Sequence, residues 1–240
     1  MILPGLGRRI SLDENDKKFL VRRRLAAAAD VSLPRRKTWR IGGKSLDQGS
    51  TGTCVGHAWK NFLRCAPIRT EIGPTPWDIY RKAISVDEWT DNDAEIIDIN
   101  NANLQSGTSV RAGAQTMIEF GRLKSYLWAF DLQSVIEWVL TQGPLVLGIN
   151  WYSTFNNPDH EGIIKLSETS TILGGHAILC RGINLKTSLA TLENSWGDTW
   201  GKSGACYIPL STLERLIHEQ GECCTAIETK ILPIRTLPIP

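Results

Sequence analysis

Three short segments of this 240-residue chain contain side chains that could together break a bond by nucleophilic attack. They supply an amide and a thiol, then an imidazole, then a second amide, and they are Gln48–Cys54, Gly174–Ala177 and Glu193–Gly197. Catalysis by a thiol requires a thiolate, a base for its proton, a group that orients the base and a donor for the developing oxyanion. We therefore expect one catalytic site made of Cys54, His176, Asn194 and Gln48.

Cys54 is the candidate nucleophile because it follows Gly52-Thr53 at the predicted start of a helix. A helix N-terminus offers unpaired backbone N–H groups and the positive end of the helix dipole, and both stabilise a thiolate. Cys65, at the far end of the same helix, fits a buried and inert cysteine better. Gln48 lies on the loop before the helix, where its side-chain N–H and the backbone N–H of Cys54 could share one oxyanion.

Of the four histidines, His176 suits the role of base, because it opens an apolar strand after two glycines. His57 lies one turn along the helix of Cys54, so its ring should point beside the thiol rather than across a cleft. His160 and His218 fit surface positions. The amide oxygen of Asn194 could accept from one ring nitrogen of His176 and leave the other for the thiol, with Trp196 as an apolar cover.

The elements that must position these residues are helical in the first half of the chain and extended in the second. Apolar spacing and capping residues predict helices over Cys54–Cys65, from Thr75-Pro76 through Ile84, from Thr108 or Ser109 to Gly121, from Asp131 to Gly143, and from a capping box of Ser211 and Glu214. Predicted strands are Pro144–Asn150, His176–Asn184, Leu189–Glu193, Cys206–Leu210 and Cys224–Leu232. This order predicts an α+β protein with the site in a cleft between a helical lobe and a sheet lobe.

The charge of the chain is divided between a basic N-terminal segment and an acidic remainder. Residues 1–44 hold twelve Lys/Arg and four Asp/Glu, a balance of +8, whereas the rest holds fifteen and twenty-one, a balance of −6. We define residues 1–40 as the arm, with one predicted helix at Phe19–Ala29, and expect it to dock on the body or on an acidic partner. Leu20, Leu25 and Trp39 would anchor it, and we expect Cys54 to react without removal of the arm.

The amino-acid sequence around these residues resembles that of the papain family of cysteine peptidases. Clear similarity spans residues 45–65 and 172–210, and weaker similarity at 106–128 and 143–152 is reminiscent of bacterial and phage members. The resemblance implies that Cys54 is the nucleophile, His176 the base, Asn194 its orienting residue and Gln48 the oxyanion donor. Two departures are Val55, where the family usually has Trp, and Thr51, where secreted members usually have a disulfide cysteine.

The resemblance implies a papain-like two-lobed fold: a catalytic domain at 41–240, with the helical lobe at about 41–130 and an antiparallel sheet or barrel lobe at about 131–240. We expect a peptidase acting on peptide or protein substrates. Substrate contacts are expected from Gly107, Thr108, Gly175 and Trp196, of which Gly107-Thr108 is the nearest match to the family's paired glycines. The alternatives are an amidase with the same dyad, and a structural or assembly protein, such as a virus-particle component, with little turnover.

Composition narrows the other expectations. The six cysteines form no CxxC pair, so we expect reduced thiols, no metal and no organic cofactor. No apolar run approaches the ~20 residues of a membrane span, and no secretory signal is evident, which favours the cytoplasm or a virus particle over a membrane. Without interleaved aromatic residues or a groove-binding motif, the arm is not expected to bind nucleic acid.

Overall fold

The computed structural model describes residues 5–25, 33–87 and 106–228. Its helices are α1 (Val21–Leu25), α2 (Cys54–Arg64), α3 (Pro76–Val86), α4 (Val110–Glu119), α5 (Leu132–Thr141) and α6 (Leu210–His218). Its strands are β1 (Arg8–Arg9), β2 (Arg36–Thr38), β3 (Thr108–Ser109), β4 (Leu123–Ala129), β5 (Leu145–Tyr152), β6 (Ile172–Asn184), β7 (Leu189–Glu193), β8 (Ala205–Pro209) and β9 (Glu222–Glu228). None of the helices in these ranges is long and apolar enough to cross a membrane.

Local sequence signals set most helix starts. Ser109 and Asp131 accept hydrogen bonds from the backbone at the first turns of α4 and α5, and Thr75 forms a capping box with Asp78 on α3. The predicted capping box of Ser211 and Glu214 is wrong. Pro209 ends β8 and itself precedes the first residue of α6, so Ser211 already lies inside the first turn.

An antiparallel sheet of seven strands forms the second lobe. Its strand order is β4-β9-β5-β6-β7-β8, and β2 pairs with β6. The predicted strands in the second half are confirmed with shifts at their ends, except that residues 229–232 lie outside the described ranges. The sequence did not predict β4, which joins the sheet by pairing with β9 although it precedes the lobe boundary expected near residue 130.

Apolar side chains pack against both faces of this sheet. One face, with Leu147 and Ile178, packs against α5 and α6. The other face, with Val146 and Leu179, packs against α2 and α4. The predicted α+β architecture with a helical lobe and a sheet lobe is therefore confirmed, and α2 lies directly against the strand that contains His176.

The arm contacts the body at several points within residues 5–25 and again from Arg35, whose carbonyl accepts from the Leu185 N–H at 2.9 Å. Leu20 bridges to Trp128, Leu25 packs at the edge of the core, and the Trp39 indole N–H donates to the Val139 carbonyl at 2.7 Å. Asp16 pairs with Arg111 of the body. Of the helix predicted over Phe19–Ala29, only Val21–Leu25 is helical within the described ranges, and residues 26–32 lie outside them.

Candidate active site

Cys54 is the first residue of α2 and is completely buried. Its N-cap residue, Thr53, makes no side-chain capping hydrogen bond, so the helix begins without a side chain competing for its first N–H groups. Burial raises the pKa of the Cys54 thiol to about 11, while the backbone N–H groups of Ala177, Gly7 and Val55 act in the opposite direction.

His176 and Asn194 meet across neighbouring strands. His176 Nε2 lies 2.8 Å from Asn194 Oδ1, which also accepts from the backbone N–H of Ser195 at 2.8 Å. The contact with Asn194 Oδ1 occupies His176 Nε2 and so orients the imidazole ring. It leaves Nδ1 as the ring nitrogen that could serve the thiol, which is the arrangement predicted for an orienting residue. Trp151 and Trp196 enclose the ring, with centroids 4.7 and 5.1 Å away.

The same enclosure controls the charge of the imidazole. Burial lowers the pKa of His176 to about 4, while the hydrogen bond to Asn194 acts in the opposite direction. His176 Nδ1 has no hydrogen-bond partner among the described residues, the Cys54 thiol included. In this closed arrangement burial therefore favours the neutral form of both the thiol and the imidazole, against the hydrogen bonds that favour their charged forms.

Gln48 is buried beside the start of α2. Its Oε1 accepts from the Ser195 hydroxyl at 2.7 Å, which orients the amide. Its Nε2 donates to two carbonyl oxygens, that of Thr51 at 2.6 Å and that of Gly5 at 3.0 Å. The second acceptor belongs to the arm, so the amide predicted to bind an oxyanion already holds a peptide carbonyl.

Residues Gly5–Arg9 of the arm lie across Cys54. The Gly7 carbonyl accepts from the Thr108 N–H at 2.8 Å, and β1 continues the contact by parallel pairing with β3. The approach is so close that a Cβ on Gly7 would lie 1.9 Å from the Gly52 carbonyl oxygen. We expected Cys54 to be reactive with the arm in place. The structure places Gly7 over the thiol and leaves Cys54 no exposed surface.

Three of the four residues predicted to contact substrate contact the arm in this structure. Thr108 binds the Gly7 carbonyl, and a Cβ on Gly107 would lie 2.3 Å from the same oxygen. A Cβ on Gly175 would lie 2.2 Å from the Arg8 carbonyl oxygen. Trp196 packs on His176 and is almost fully buried, which fits the cover role that its position suggested.

Sequence analysis missed one buried pair beside the site. Arg8 Nε donates to Glu222 Oε2 at 2.7 Å, and their side chains are 0% and 1% exposed. The sequence contained a weak signal, because Glu222 directly precedes five uncharged residues, Cys223–Ile227, at the start of strand β9. Nothing local in the chain connects it with an arginine 214 residues earlier.

Comparison with known proteins identifies the family of the chain and supports its fold. Residues 45–228 match the family model described as papain family cysteine protease, so the chain belongs to that family. The fold is similar to that of xylellain, a cysteine protease from Xylella fastidiosa, at a TM-score of 0.72 and 16% identity, covering 95% of this chain and 97% of that one. Digestive procathepsin L2 from Tenebrio molitor larval midgut gives a TM-score of 0.70 at 16% identity, over 93% and 78% of the two chains.

A relative by sequence comes from a virus. An uncharacterized peptidase C1-like protein of Acanthamoeba polyphaga mimivirus is 21% identical over a 209-residue alignment, and the match covers 68% of this chain and 63% of that protein. The chain therefore spans less than two thirds of that relative's length.

Proposed function

We propose that this protein is a cysteine-type peptidase that hydrolyses peptide bonds with Cys54 as nucleophile and His176 as base, oriented by Asn194. The observation that carries this proposal is the hydrogen bond that Gln48 Nε2 donates to the Gly5 carbonyl oxygen at 3.0 Å. A peptide carbonyl bound there, in a chain segment that also covers the thiol, supports a site that takes an extended peptide.

In the proposed reaction, the Cys54 thiolate attacks a peptide carbonyl. Gln48 Nε2 and the Cys54 backbone N–H hold the oxyanion, and His176 protonates the leaving amine. His176 then takes a proton from water, which attacks the acyl-enzyme and frees the thiol. The arm must leave the cleft first, because Gly5 and Gly7 occupy the positions over Gln48 and Cys54.

Departure of the arm from the cleft also favours the Cys54 thiolate and the His176 imidazolium that the reaction needs. Water and substrate enter the cleft, the cost of separating charge falls, and the proton can pass from the Cys54 thiol to His176. The resulting pair should give a bell-shaped dependence of rate on pH.

The test is turnover of a quenched fluorescent peptide library by full-length protein, with and without Gly7→Ala to displace the arm. Cys54→Ala and His176→Ala should each reduce turnover by at least about 10³-fold, and the double variant should lose little more, because the two residues act as a unit. Asn194→Ala should cost less, since Asn194 only orients the ring. The matched control is Cys65→Ala, at the C-cap of the same helix, which should keep full turnover.

The other outcomes separate the alternatives. Turnover that survives Cys54→Ala contradicts the proposal. Hydrolysis of small amides but of no peptide would favour an amidase with the same dyad. An opened protein that turns over neither, while still folded, would favour the structural or assembly role.

A further inference from the structure

The loop that presents Gln48 is held in place without a disulfide. It runs from Asp47 to Thr53, directly before α2, and all six cysteines of the chain are unpaired. A group that takes part in catalysis must be held within about 0.5 Å of its productive position. Noncovalent contacts therefore have to fix this loop.

A network of hydrogen bonds runs through the loop from Gln48 to the helix. The Thr51 hydroxyl donates to the Gln48 carbonyl at 2.6 Å, and Gln48 Nε2 donates to the Thr51 carbonyl at 2.6 Å. The hydroxyl oxygens of Thr51 and Thr53 lie 2.8 Å apart. Thr53 Oγ1 in turn lies 3.2 Å from Nδ1 of His57, one turn along α2.

The direction of donation in this network follows from its acceptors. The single proton of the Thr51 hydroxyl goes to a carbonyl oxygen, which can only accept, so the Thr53 hydroxyl must donate to Thr51. Thr53 Oγ1 then has no proton left for His57 and must accept from Nδ1. The Thr53 carbonyl oxygen, 3.0 Å from the same Nδ1, also requires a proton there. Both arguments give the Nδ1–H tautomer, with donation running from His57 towards Gln48.

Two further features show that the network serves the loop. A threonine N-cap normally accepts from its own helix, but the Thr53 hydroxyl makes no capping hydrogen bond and lies instead between Thr51 and His57. The backbone of Asp47 also acts on the His57 ring through a hydrogen bond, so the ring contacts both ends of the loop. The ring is itself fixed, because His57 is buried and packs edge-on against Trp77.

We propose that His57 is a positioning residue, which holds the Gln48 amide in place for the oxyanion through the two threonine hydroxyls between them. The proposal rests on the proposed peptidase function for the role of Gln48. The Ser195 hydroxyl holds Gln48 Oε1 from the sheet lobe, and the network holds the loop from α2. An amide fixed from both lobes keeps its N–H groups aimed at one point and need not reorganise during the reaction.

The kinetic test uses full-length protein with Gly7→Ala to displace the arm. His57→Leu and Thr53→Val should each lower kcat about 10- to 100-fold with little change in KM, because the oxyanion forms only in the transition state. In a Gln48→Ala background neither should lower kcat by more than about twofold, because the amide that they position is gone. His57→Asn, whose Nδ2 can replace the donating Nδ1, should recover most of the loss.

Thr116→Val is the matched control for Thr53→Val. Thr116 is as completely buried as Thr53, but its hydroxyl has no hydrogen-bond partner among the described residues. The control should therefore change neither kcat nor KM. A purely structural role of His57 would instead give losses that add to that of Gln48→Ala and that His57→Asn does not recover.

A measurement without substrate separates this proposal from the peptidase function. In proton–nitrogen correlation NMR spectra, the side-chain amide signals of Gln48 are those missing from Gln48→Ala. They should shift or broaden in His57→Leu and Thr53→Val and stay close to their wild-type positions in His57→Asn and Thr116→Val. If His57→Leu fails to fold, Thr53→Val decides alone.

The outcomes are distinct. Gln48 amide signals that respond in this way, in a protein that hydrolyses no peptide, would retain the positioning network and reject the peptidase function. Unchanged Gln48 signals in the folded His57→Leu and Thr53→Val proteins, or kcat losses that add fully to that of Gln48→Ala, would overturn the proposal.

Discussion

Burial favours the neutral forms of Cys54 and His176 for the same reason, which is the removal of water from around both side chains. His57 reports on that environment without belonging to the proposed dyad. It is buried on α2, its Nδ1 lies 3.0 Å from the Thr53 carbonyl oxygen, and its ring packs edge-on against Trp77. Burial lowers its pKa from 6.5 to about 4, while Thr53 and Asp47 act in the opposite direction.

This shift predicts acid instability. A histidine that binds its proton more weakly in the folded state stabilises the fold above pH 6.5 and loses that contribution as the pH falls towards 4. The change from 6.5 to about 4 corresponds to about 3 kcal/mol for His57, and His176 adds to the loss in the same window. In urea titrations at stepped pH, His57→Gln should reduce the loss between pH 6.5 and 4, and His160→Gln, at an exposed site, should not. An unchanged slope in His57→Gln would show that His57 is solvated in the native protein.

Among the elements, α2 and β6 bring the Cys54 thiol and the His176 imidazole to one place. Strand β3, which follows Gly107, is the edge with which strand β1 of the arm pairs. Gly107 has φ +71, a backbone conformation that favours glycine. Gly5 and Gly7 of the arm lie so close to the loop before α2 that neither position has room for a side chain.

Gly7→Ala should therefore displace the segment, because its Cβ would meet the backbone of Gly52 rather than a side chain that can move. Overpacking of this kind costs about 1–3 kcal/mol, which raises the open population about 5- to 150-fold. The rate of Cys54 alkylation by iodoacetamide should rise accordingly. Leu12→Ala, at an exposed arm position, is the control and should leave the rate unchanged. If Gly7→Ala alkylates no faster than wild type, the arm does not protect the thiol.

Over the whole molecule, the basic arm is held by a few specific contacts rather than by its charge alone. The contact between Arg8 and Glu222 is buried, so salt should screen it much less than it screens the general attraction between arm and body. The six cysteines are all unpaired and buried in this arrangement, and burial raises the pKa of each.

A count of reactive thiols tests this arrangement. With Ellman's reagent at neutral pH, native wild-type protein should show no fast thiol, Gly7→Ala should show one that maps to Cys54, and denatured protein should show all six. A reducing agent should leave the Tm unchanged because there is no disulfide among these cysteines. A fast thiol other than Cys54 in the native protein, or a large fall in Tm on reduction, would contradict this picture.

The sequence by itself determined the local features. Ser109 and Asp131 mark helix starts because a side-chain oxygen caps its own helix, and alternating apolar residues mark the strands because one face of each must be buried. The partnership of His176 with Asn194 was also predictable, since they lie near facing ends of adjacent strands. The predicted capping box of Ser211 and Glu214 is absent because α6 begins at Leu210, directly after Pro209, which is earlier than the side-chain pattern suggests.

The tertiary structure alone decided what covers the site. The arm crosses the thiol because Gly5 and Gly7 can approach Gln48 and Thr108 through backbone contacts, and backbone groups leave no pattern in a sequence. Strand β4 finds its place only by pairing with β9, almost a hundred residues later. Arg8 and Glu222 are 214 residues apart. Each looks like an ordinary surface charge until folding removes both from water, and only then does their attraction become strong enough to matter.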